Sequence, residues 1–368
     1  MKLGRRVLVA VSAVTVLAVI ITAFFLFSRN NRRDVPMSAE FRSSAVMIAT
    51  ACIAATEKPS AVRVLLCGAE SGEFKGLFET FGFLGVNFPE AGEIVRHDIV
   101  FVTGEPSEKE FSQYVKMLSE MGVMAWRINV RNMDCVRFKE LFSRFPCPSV
   151  HLWMPGADEW LLVGRKEPRN LKMDAMMELF SRESAFDLLS GAKIFALSDI
   201  FASYAGTRED VEGAFAAGVS GVQVRPEFFV TKDVPEIGWV VRGDVDDDIF
   251  ASVRSEMRSV QTVRREILNG NMLADQGKGD EALEMWMAAT RRNPRDPMMQ
   301  ERLGRLTLNA NALLRIGNAA AAAKCFETII VIDPGNASAV FEYGKCLQML
   351  GKKEMAEQVF KRAKELNR

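Results

Sequence analysis

Three stretches of ten residues decide the fold of the carboxy-terminal third: GKGDEALEMW at residues 277–286, GNAAAAAKCF at residues 317–326 and GKKEMAEQVF at residues 351–360. Each begins with glycine, has alanine at its sixth position and ends on a large aromatic residue. A small residue lets two helix backbones approach closely, and the aromatic ring fills the space one turn further on. Pro294 and Pro334 each follow an aromatic residue by eight positions, where proline would end a helix. The pattern therefore predicts pairs of antiparallel helices, repeated three times.

This spacing of glycine, alanine, aromatic residue and proline resembles the tetratricopeptide repeat. Ala322 and Ala356 are 34 residues apart, which is the period of that family, whereas Ala282 and Ala322 are 40 residues apart. Six extra residues are therefore expected near positions 297–302. An ordinary helical bundle is the alternative. We expect a helical domain over residues 249–368, with repeats at about residues 263–296, 303–336 and 337–368.

The resemblance implies a working surface on the concave side of the array, which the first helix of each pair would line. Amide and basic side chains there would hydrogen-bond the backbone or a carboxylate of an extended protein or peptide partner, and an aromatic ring would pack against an apolar side chain. The competing interpretation is that these are ordinary solvated helix positions. The residues expected in or near the groove are Arg264, Ile267, Asn271, Asn311, Arg315, Phe341, Lys345 and Gln348.

An apolar stretch of about twenty residues, from Val7 to Phe27, is long enough to cross a bilayer roughly 30 Å thick. A cleavable signal peptide would have a shorter apolar part followed directly by small residues, whereas Arg29 stands close behind this one. We therefore expect a retained single-pass membrane anchor over residues 1–28 and a linker over residues 29–60. Positive charges balance across the span, so the orientation stays open. The short amino-terminal tail favours a location of the bulk of the chain outside the cytoplasm.

From Ala61 the pattern changes to short apolar strands that alternate with helices, which is typical of an α/β sheet. An apolar piece ahead of it, residues 45–55, is too short to span a membrane and is expected to pack on this domain. The last two strands are expected to form an antiparallel pair around the turn at Pro155 and Gly156. The predicted strands are residues 62–67, 98–102, 123–130, 149–153 and 159–163, and the predicted helices are residues 74–81, 108–121 and 135–145.

This region carries the blocks VLLCGAESG, HDIVFVTGEP, FSQYVKMLSEMGVMAW and SVHLWMPGADEWLLVGRKEP. They look like successive blocks of the spermidine synthase-like domain of bacterial membrane proteins, a branch of the class I methyltransferase-type Rossmann fold. The likeness continues through LLSGAKIFALSDIFASYAG to VRPEFF and covers about 170 residues. It implies a reduced Rossmann-like domain with a mixed sheet and a helical tail over residues 61–231, followed by a linker over residues 232–248.

The resemblance also implies where chemistry would be. Active members of that family bind decarboxylated S-adenosylmethionine over a G-x-G-x-G loop, hold its ribose with an acidic residue and deprotonate an amine with an aspartate. Gly68 and Gly72 match the outer glycines, but Glu70 replaces the middle one, where the backbone must approach the ligand closely. Only 24 residues separate Gly72 from His97, too few for the usual elements that include the ribose acid. Where the catalytic aspartate would be, only Glu105 is able to act as a base.

Two interpretations of function remain open. In the first, the α/β domain is a degenerate platform that has lost its pocket and uses no cofactor, and the chain is a membrane-anchored scaffold or adaptor that binds partners through its repeats. In the alternative, the chain is an aminopropyltransferase or a related S-adenosylmethionine-type transferase, with Glu105 as general base and residues 68–72 as the cofactor loop. Binding of the cofactor would separate the two.

Composition excludes two further classes of function. Lysine and arginine number 47, as do aspartate and glutamate, so the formal net charge is zero and no global field favours nucleic acid. The chain has only two histidines, and its six cysteines form no C-x-x-C pair. No metal site is therefore expected.

Overall fold

The computed structural model of the chain describes residues 39–55, 62–68, 70–81, 83, 85–89, 95–156, 158–192, 194–216, 223–229, 239–294 and 296–367. The expected membrane anchor, residues 7–27, lies outside these ranges. Within the described ranges, no helix is both long and apolar enough to cross a membrane.

The amino-terminal part of the described chain is an α/β domain with a mixed, seven-stranded sheet. Helices lie on both faces of that sheet and form a three-layer arrangement. In chain order the elements are α1 Ala39–Ala55, β1 Arg63–Cys67, α2 Ser71–Thr80, β2 Gly85–Asn87, β3 His97–Val102, α3 Glu108–Met117, β4 Leu118–Asn129, α4 Cys135–Arg144, β5 Ser149–Trp153, β6 Glu159–Arg165, β7 Leu171–Lys172, α5 Met173–Phe180, α6 Glu183–Gly191, α7 Leu197–Phe201, β8 Tyr204–Thr207, α8 Arg208–Ala216, a 3-10 turn Pro226–Phe229 and β9 Val240–Val241.

The strands of the sheet follow the order β2-β1-β3-β4-β6-β5-β8. The first four in that order run parallel, and β6 runs antiparallel to both β4 and β5. Apolar side chains such as Leu66, Phe101 and Ala125 are fully buried, as expected where helices cover both faces of parallel strands. The carboxyl ends of β1, β3 and β4 meet at one edge, which is where open α/β sheets bind ligands.

The structure departs from the predicted elements at three places in the sheet, one of which is β8, an unexpected strand that pairs with β5. The expected antiparallel pair is present, with Leu152 opposite Leu162. However, β4 begins at Leu118 instead of Val123, because its first residues pair with β3 beside His97 and shorten α3. Strand β2, which pairs with β1, was not expected, since three residues are too few to show an apolar pattern.

Helix α1 belongs to the α/β domain, although the sequence assigned it to the linker. Met47, Ile48 and Cys52 are fully buried, and the helix packs on β3, β4 and β6. A helix that is apolar on all sides gains stability only when neighbours surround it. The α/β domain therefore includes residues 39–55, ahead of the expected start at residue 61. Helices α3, α4 and α8 cover the opposite face, where Phe111, Phe138 and Val211 join the core.

Among the described residues after β9, six helices form three antiparallel pairs. Gly277, Gly317 and Gly351 lie between the helices of each pair with φ of 77°, 79° and 79°, the left-handed conformation that favours glycine after a helix end. Helix α11 has 19 residues, against 13 in α13, so the extra residues before the second repeat extend its first helix. The helices are α9 Asp247–Asp275, α10 Gly279–Arg292, α11 Pro297–Arg315, α12 Ala319–Ile332, α13 Ala337–Met349 and α14 Lys353–Leu366.

Helix α9 connects the two parts of the molecule. It has 29 residues, and its amino-terminal half packs on α7, where Ser198 Oγ donates to Glu256 Oε1 over 2.8 Å. Immediately before it, β9 pairs with β7, so the described end of the expected linker is held by the α/β domain. The carboxylate of Asp246 accepts a hydrogen bond from the Asp248 amide and caps the helix.

Candidate functional site

A small cleft lies at the carboxyl ends of β1, β3 and β4, where the family resemblance places a cofactor. Its volume is about 100 Å³. The residues that line it are Glu70, Gly104, Glu105, Arg127, Ile128 and Asn129. Of the four residues singled out in the sequence as remnants of a site, Glu70 and Glu105 line this cleft. Gly68 follows β1 without lining the cleft, and Gly72 is exposed in the first turn of α2.

Arg127 lines this cleft, and its guanidinium is bound by side chains of the same chain. It donates from Nε to Glu159 Oε2 over 2.9 Å and from Nη1 to Glu70 Oε2 over 2.6 Å, and a further short bond joins it to Glu159. It also lies over the ring of Phe74, 5.4 Å from the ring centre. Burial opposes the charge on Arg127, but Glu159 and Glu70 outweigh that effect and raise its pKa. The carboxylate that replaces the middle glycine of the motif therefore faces a fixed positive charge of the same chain.

The backbone of Gly68 packs directly against the chain at the end of β3. Its φ is 101°, and a Cβ atom at this position would lie 2.1 Å from the carbonyl oxygen of Thr103. The Thr103 amide in turn donates to the Cys67 carbonyl over 2.8 Å. Glycine is required here by the approach of two strands of this protein, so its presence alone does not indicate a ligand.

Glu105, the candidate general base, forms an ion pair with Arg137 of α4. Arg137 is also hydrogen-bonded to Glu140 over 2.8 Å, and the side chains of Glu105 and Arg137 are about half exposed. The pKa of Arg137 is raised by its hydrogen bonds to Glu140 and Glu105. The carboxylate that the sequence identified as a candidate base is therefore bound by a side chain of the same chain.

The repeat array is held by the contacts between small and aromatic residues that its sequence pattern predicts. A Cβ atom on Gly270 would lie 2.5 Å from Trp286 Nε1, and one on Gly344 would lie 2.6 Å from Phe360. Ala310 takes the equivalent position of the second pair and is fully buried. These close approaches explain why each first helix has a small residue there.

None of the three expected groove residues of the first repeat is open to a peptide: two contact the α/β domain and one is buried in the array. Arg264 donates to the backbone carbonyl of Met154, and Asn271 Nδ2 donates to Glu227 Oε1 over 2.9 Å. Ile267 is fully buried in the core of the array, so its side chain offers no surface to a peptide. The sequence identified side chains that bind carbonyl and carboxylate groups, but here those groups belong to the same chain.

The other expected groove residues lie away from the α/β domain contacts just described. Phe341 is 45% exposed, packs against Phe360 with ring centres 5.4 Å apart, and has Lys345 Nζ 4.8 Å from its own ring centre. Lys345 also pairs with Glu342 over 2.7 Å. Of the rest, Asn311 is half-buried, and Arg315 and Gln348 are exposed.

A comparison with protein families agrees with this part of the fold. The tetratricopeptide repeat model matches residues 307–368, which run from within α11 through α14. The match covers the carboxy-terminal end of the chain and does not extend to the α/β domain or to the first helix pair. No curated protein matches the chain.

Sequence reasoning missed Arg127 and Glu159, which close the cleft. A signal was present: Arg127 interrupts an apolar strand, MAWRIN, and a basic residue at a buried position requires a carboxylate partner. It also missed a cluster around His151, which lies 4.7 Å from the ring of Trp239 and within 3.2 Å of the Tyr204 hydroxyl. Trp239 belongs to the expected linker, so no local pattern connects it to that strand.

Proposed function

We infer that the chain is a scaffold or adaptor that binds a protein or peptide partner through its repeats. The observation that carries this conclusion is the helical array itself, in which residues 307–368 match the tetratricopeptide repeat. Repeats of this kind bury one side of each helix pair and leave an extended surface, which such proteins use for binding. In this array, that surface exposes an aromatic ring, a basic side chain and amide groups on first helices of the pairs.

The chemistry of the exposed residues favours an extended peptide. Phe341 provides an apolar contact, and Lys345, which lies over its ring, provides a positive charge next to it. Asn311 and Gln348 are able to donate to and accept from a peptide backbone. A segment with an apolar side chain next to a carbonyl or carboxylate group would fit this combination.

The α/β domain serves, in this proposal, as a platform without catalytic activity. Pockets for small molecules and cofactors usually enclose about 300–1,000 Å³, whereas the cleft encloses about 100 Å³. The ion pair between Glu70 and Arg127 lies in this cleft, and the Thr103 carbonyl packs directly against the backbone of Gly68. An adenosyl cofactor does not fit these residues. The parallel strands followed by an antiparallel pair support descent from a spermidine synthase-like domain, with the transferase reaction as the function that was lost.

A single-pass anchor at residues 7–27 completes the proposal and would hold the adaptor at a membrane, with the bulk of the chain outside the cytoplasm. It is supported by the length of the apolar segment in the sequence. A reporter enzyme that is active on only one side of the membrane, fused after Arg368, tests both parts of this proposal. Reporter activity in the soluble fraction would exclude the anchor. Activity of a reporter that works only in the cytoplasm would show that the orientation is the reverse of the proposed one.

The binding function is tested by a triple substitution on the exposed part of the groove: Asn311→Ala, Phe341→Ala and Lys345→Ala. Partners are captured from a cell extract with the full chain and compared by quantitative mass spectrometry. We expect the triple variant to lose at least about nine tenths of the specifically bound material, because interface contacts are concentrated in a few residues.

A matched control changes three exposed residues of α14: Glu357, Gln358 and Lys361, each to alanine. The control should retain all partners. If the two triple variants capture the same proteins as the unmodified chain, the groove is not the binding surface and the proposed function fails.

A further inference from the structure

A segment of the α/β domain contacts the first repeat. Residues Gln223–Phe229, called the docking segment below, connect α8 to the expected linker and lie against α9. Glu227 of this segment accepts the hydrogen bond from Asn271, and Arg225 forms an ion pair with Asp275 near the end of the same helix. Both contacts use the side of α9 that would line the groove.

The docking segment is fixed to the α/β domain at both ends. The Val224 amide donates to the Met133 carbonyl over 2.8 Å, and the Phe229 ring lies 5.3 Å from the ring centre of Trp160. With its flanks held in the core, the segment presents Arg225 and Glu227 to the repeats. It therefore resembles a short peptide that the α/β domain holds in the groove.

The groove around Glu227 has more hydrogen-bonding capacity than the docking segment uses. The positive charges of Arg264 and Arg302 are within electrostatic reach of Glu227. Among the described residues, however, Arg264 Nε, Arg302 Nε and Asn271 Oδ1 are buried without a hydrogen-bond partner. A buried donor or acceptor without a partner is unfavourable, so a peptide that satisfied these atoms would be bound in preference.

We propose that the first repeat is a binding site for an extended peptide that carries a glutamate, and that the docking segment occupies it in the free protein. The proposal rests on the proposed function and extends it: the second and third repeats are open, whereas the first opens only when the segment leaves. A partner that uses all three repeats must displace Glu227 and Arg225, so its binding separates the repeats from this part of the α/β domain.

The test uses a synthetic, fluorescently labelled peptide with the sequence of the docking segment, QVRPEFF, and measures its binding to full chains by fluorescence anisotropy. The double variant Arg225→Ala, Glu227→Ala weakens the internal contact. We expect this variant to bind the peptide about tenfold or more tightly than the unmodified chain, because it removes an internal competitor at high effective concentration. A peptide with glutamine in place of glutamate should bind neither chain.

Two controls make the result specific. Glu120→Gln removes a solvent-exposed pair with Arg96 elsewhere on the domain and should bind like the unmodified chain. If the double variant does not fold, the single variant Glu227→Gln replaces it, and hydrogen exchange of the backbone amides is measured. Exchange should then increase in residues 262–275 of α9 and not in α14.

Each remaining outcome overturns the proposal. Equal affinity for the unmodified chain and the double variant would mean that the docking segment does not occupy the peptide site. Absence of binding to every chain would mean that the first repeat does not recognise a peptide that carries a glutamate in this setting. In either case Asn311, Phe341 and Lys345 are unchanged, so the proposed partner binding through the open repeats is still tested separately.

Discussion

The strand-end cleft and the open end of the repeat array both carry charged residues, but their surroundings differ. In the cleft, Arg127 is bound on both sides by Glu70 and Glu159 and is nearly buried. On the second repeat, Arg315 extends into solvent. The difference shows that a charged residue indicates a binding site only when its partners are known. A charge that is paired with a carboxylate of the same chain stabilises the fold, whereas an exposed charge is available to another molecule.

The largest expected difference concerns these two arginines. Arg127→Met should lower the free energy of unfolding by about 3–5 kcal/mol, because it leaves the nearly buried Glu159 carboxylate unpaired. Arg315→Met should change it by about 0.5 kcal/mol or less. Urea unfolding followed by circular dichroism measures both. Similar small effects for both variants would mean that the cleft network contributes no more than a surface charge.

Acid should destabilise the α/β domain before the repeats, since both histidines of the chain lie in that domain. Burial, with a smaller contribution from Arg165, lowers the pKa of His151 to about 4 from its ordinary 6.5, although Glu209 and Asp210 act in the opposite direction. Between these values the unfolded chain binds a proton that the folded chain does not. Stability should therefore be complete above about pH 6.5 and fall by up to about 3 kcal/mol towards pH 4.

The measurement is urea unfolding at a series of pH values with His151→Phe as the comparison. In that variant the free energy of unfolding should fall much less between pH 6.5 and pH 4. A smaller fall is still expected from His97, because burial also lowers its pKa. An unchanged pH profile in the variant would show that His151 does not titrate as described.

Within the repeats, two glycines should respond in opposite directions to the same substitution. Gly344→Ala should cost about 1–3 kcal/mol, because the added methyl group meets the Phe360 ring. Around Gly304 on α11, the described residues leave the place of a Cβ free within 4 Å. Gly304→Ala should therefore stabilise the protein by up to about 1 kcal/mol through helix propensity. Thermal unfolding distinguishes the two, and equal effects would contradict the close packing of α13 and α14.

The smallest expected effect on stability is at the exposed surface. Lys345→Ala removes a solvent-exposed pair with Glu342 and should change the free energy of unfolding by about 0.5 kcal/mol or less. The same variant should capture less partner, because it removes the positive charge beside Phe341. A large loss of stability with unchanged capture would make Lys345 a structural residue.

The sequence was sufficient where local spacing determines contacts. The repeat glycines and aromatic residues meet as their spacing predicts, and the apolar strands around Leu152 and Leu162 pair as expected. It was insufficient where distant residues meet. Nothing near Asn271 in the chain indicates that Glu227, 44 positions earlier, is its partner.

The place of helix α1 in the fold also could not be predicted from the sequence. Its composition is apolar on all sides, and composition alone does not distinguish a piece that covers a neighbouring domain from one that forms its core. Only the contacts of α1 with three strands of the sheet place it inside the domain. The short strand β2 was missed because the pairing with β1 defines it, and its own residues do not.

The central claim is that the α/β domain has no site for an adenosyl cofactor and that the repeats carry the function. Isothermal titration calorimetry of S-adenosylmethionine and of its decarboxylated form into the folded, full chain tests it most directly. We predict no saturable heat for either compound up to about 1 mM, which corresponds to a binding free energy weaker than about −4 kcal/mol. Saturable one-to-one binding with a micromolar Kd would contradict the account and restore the transferase alternative.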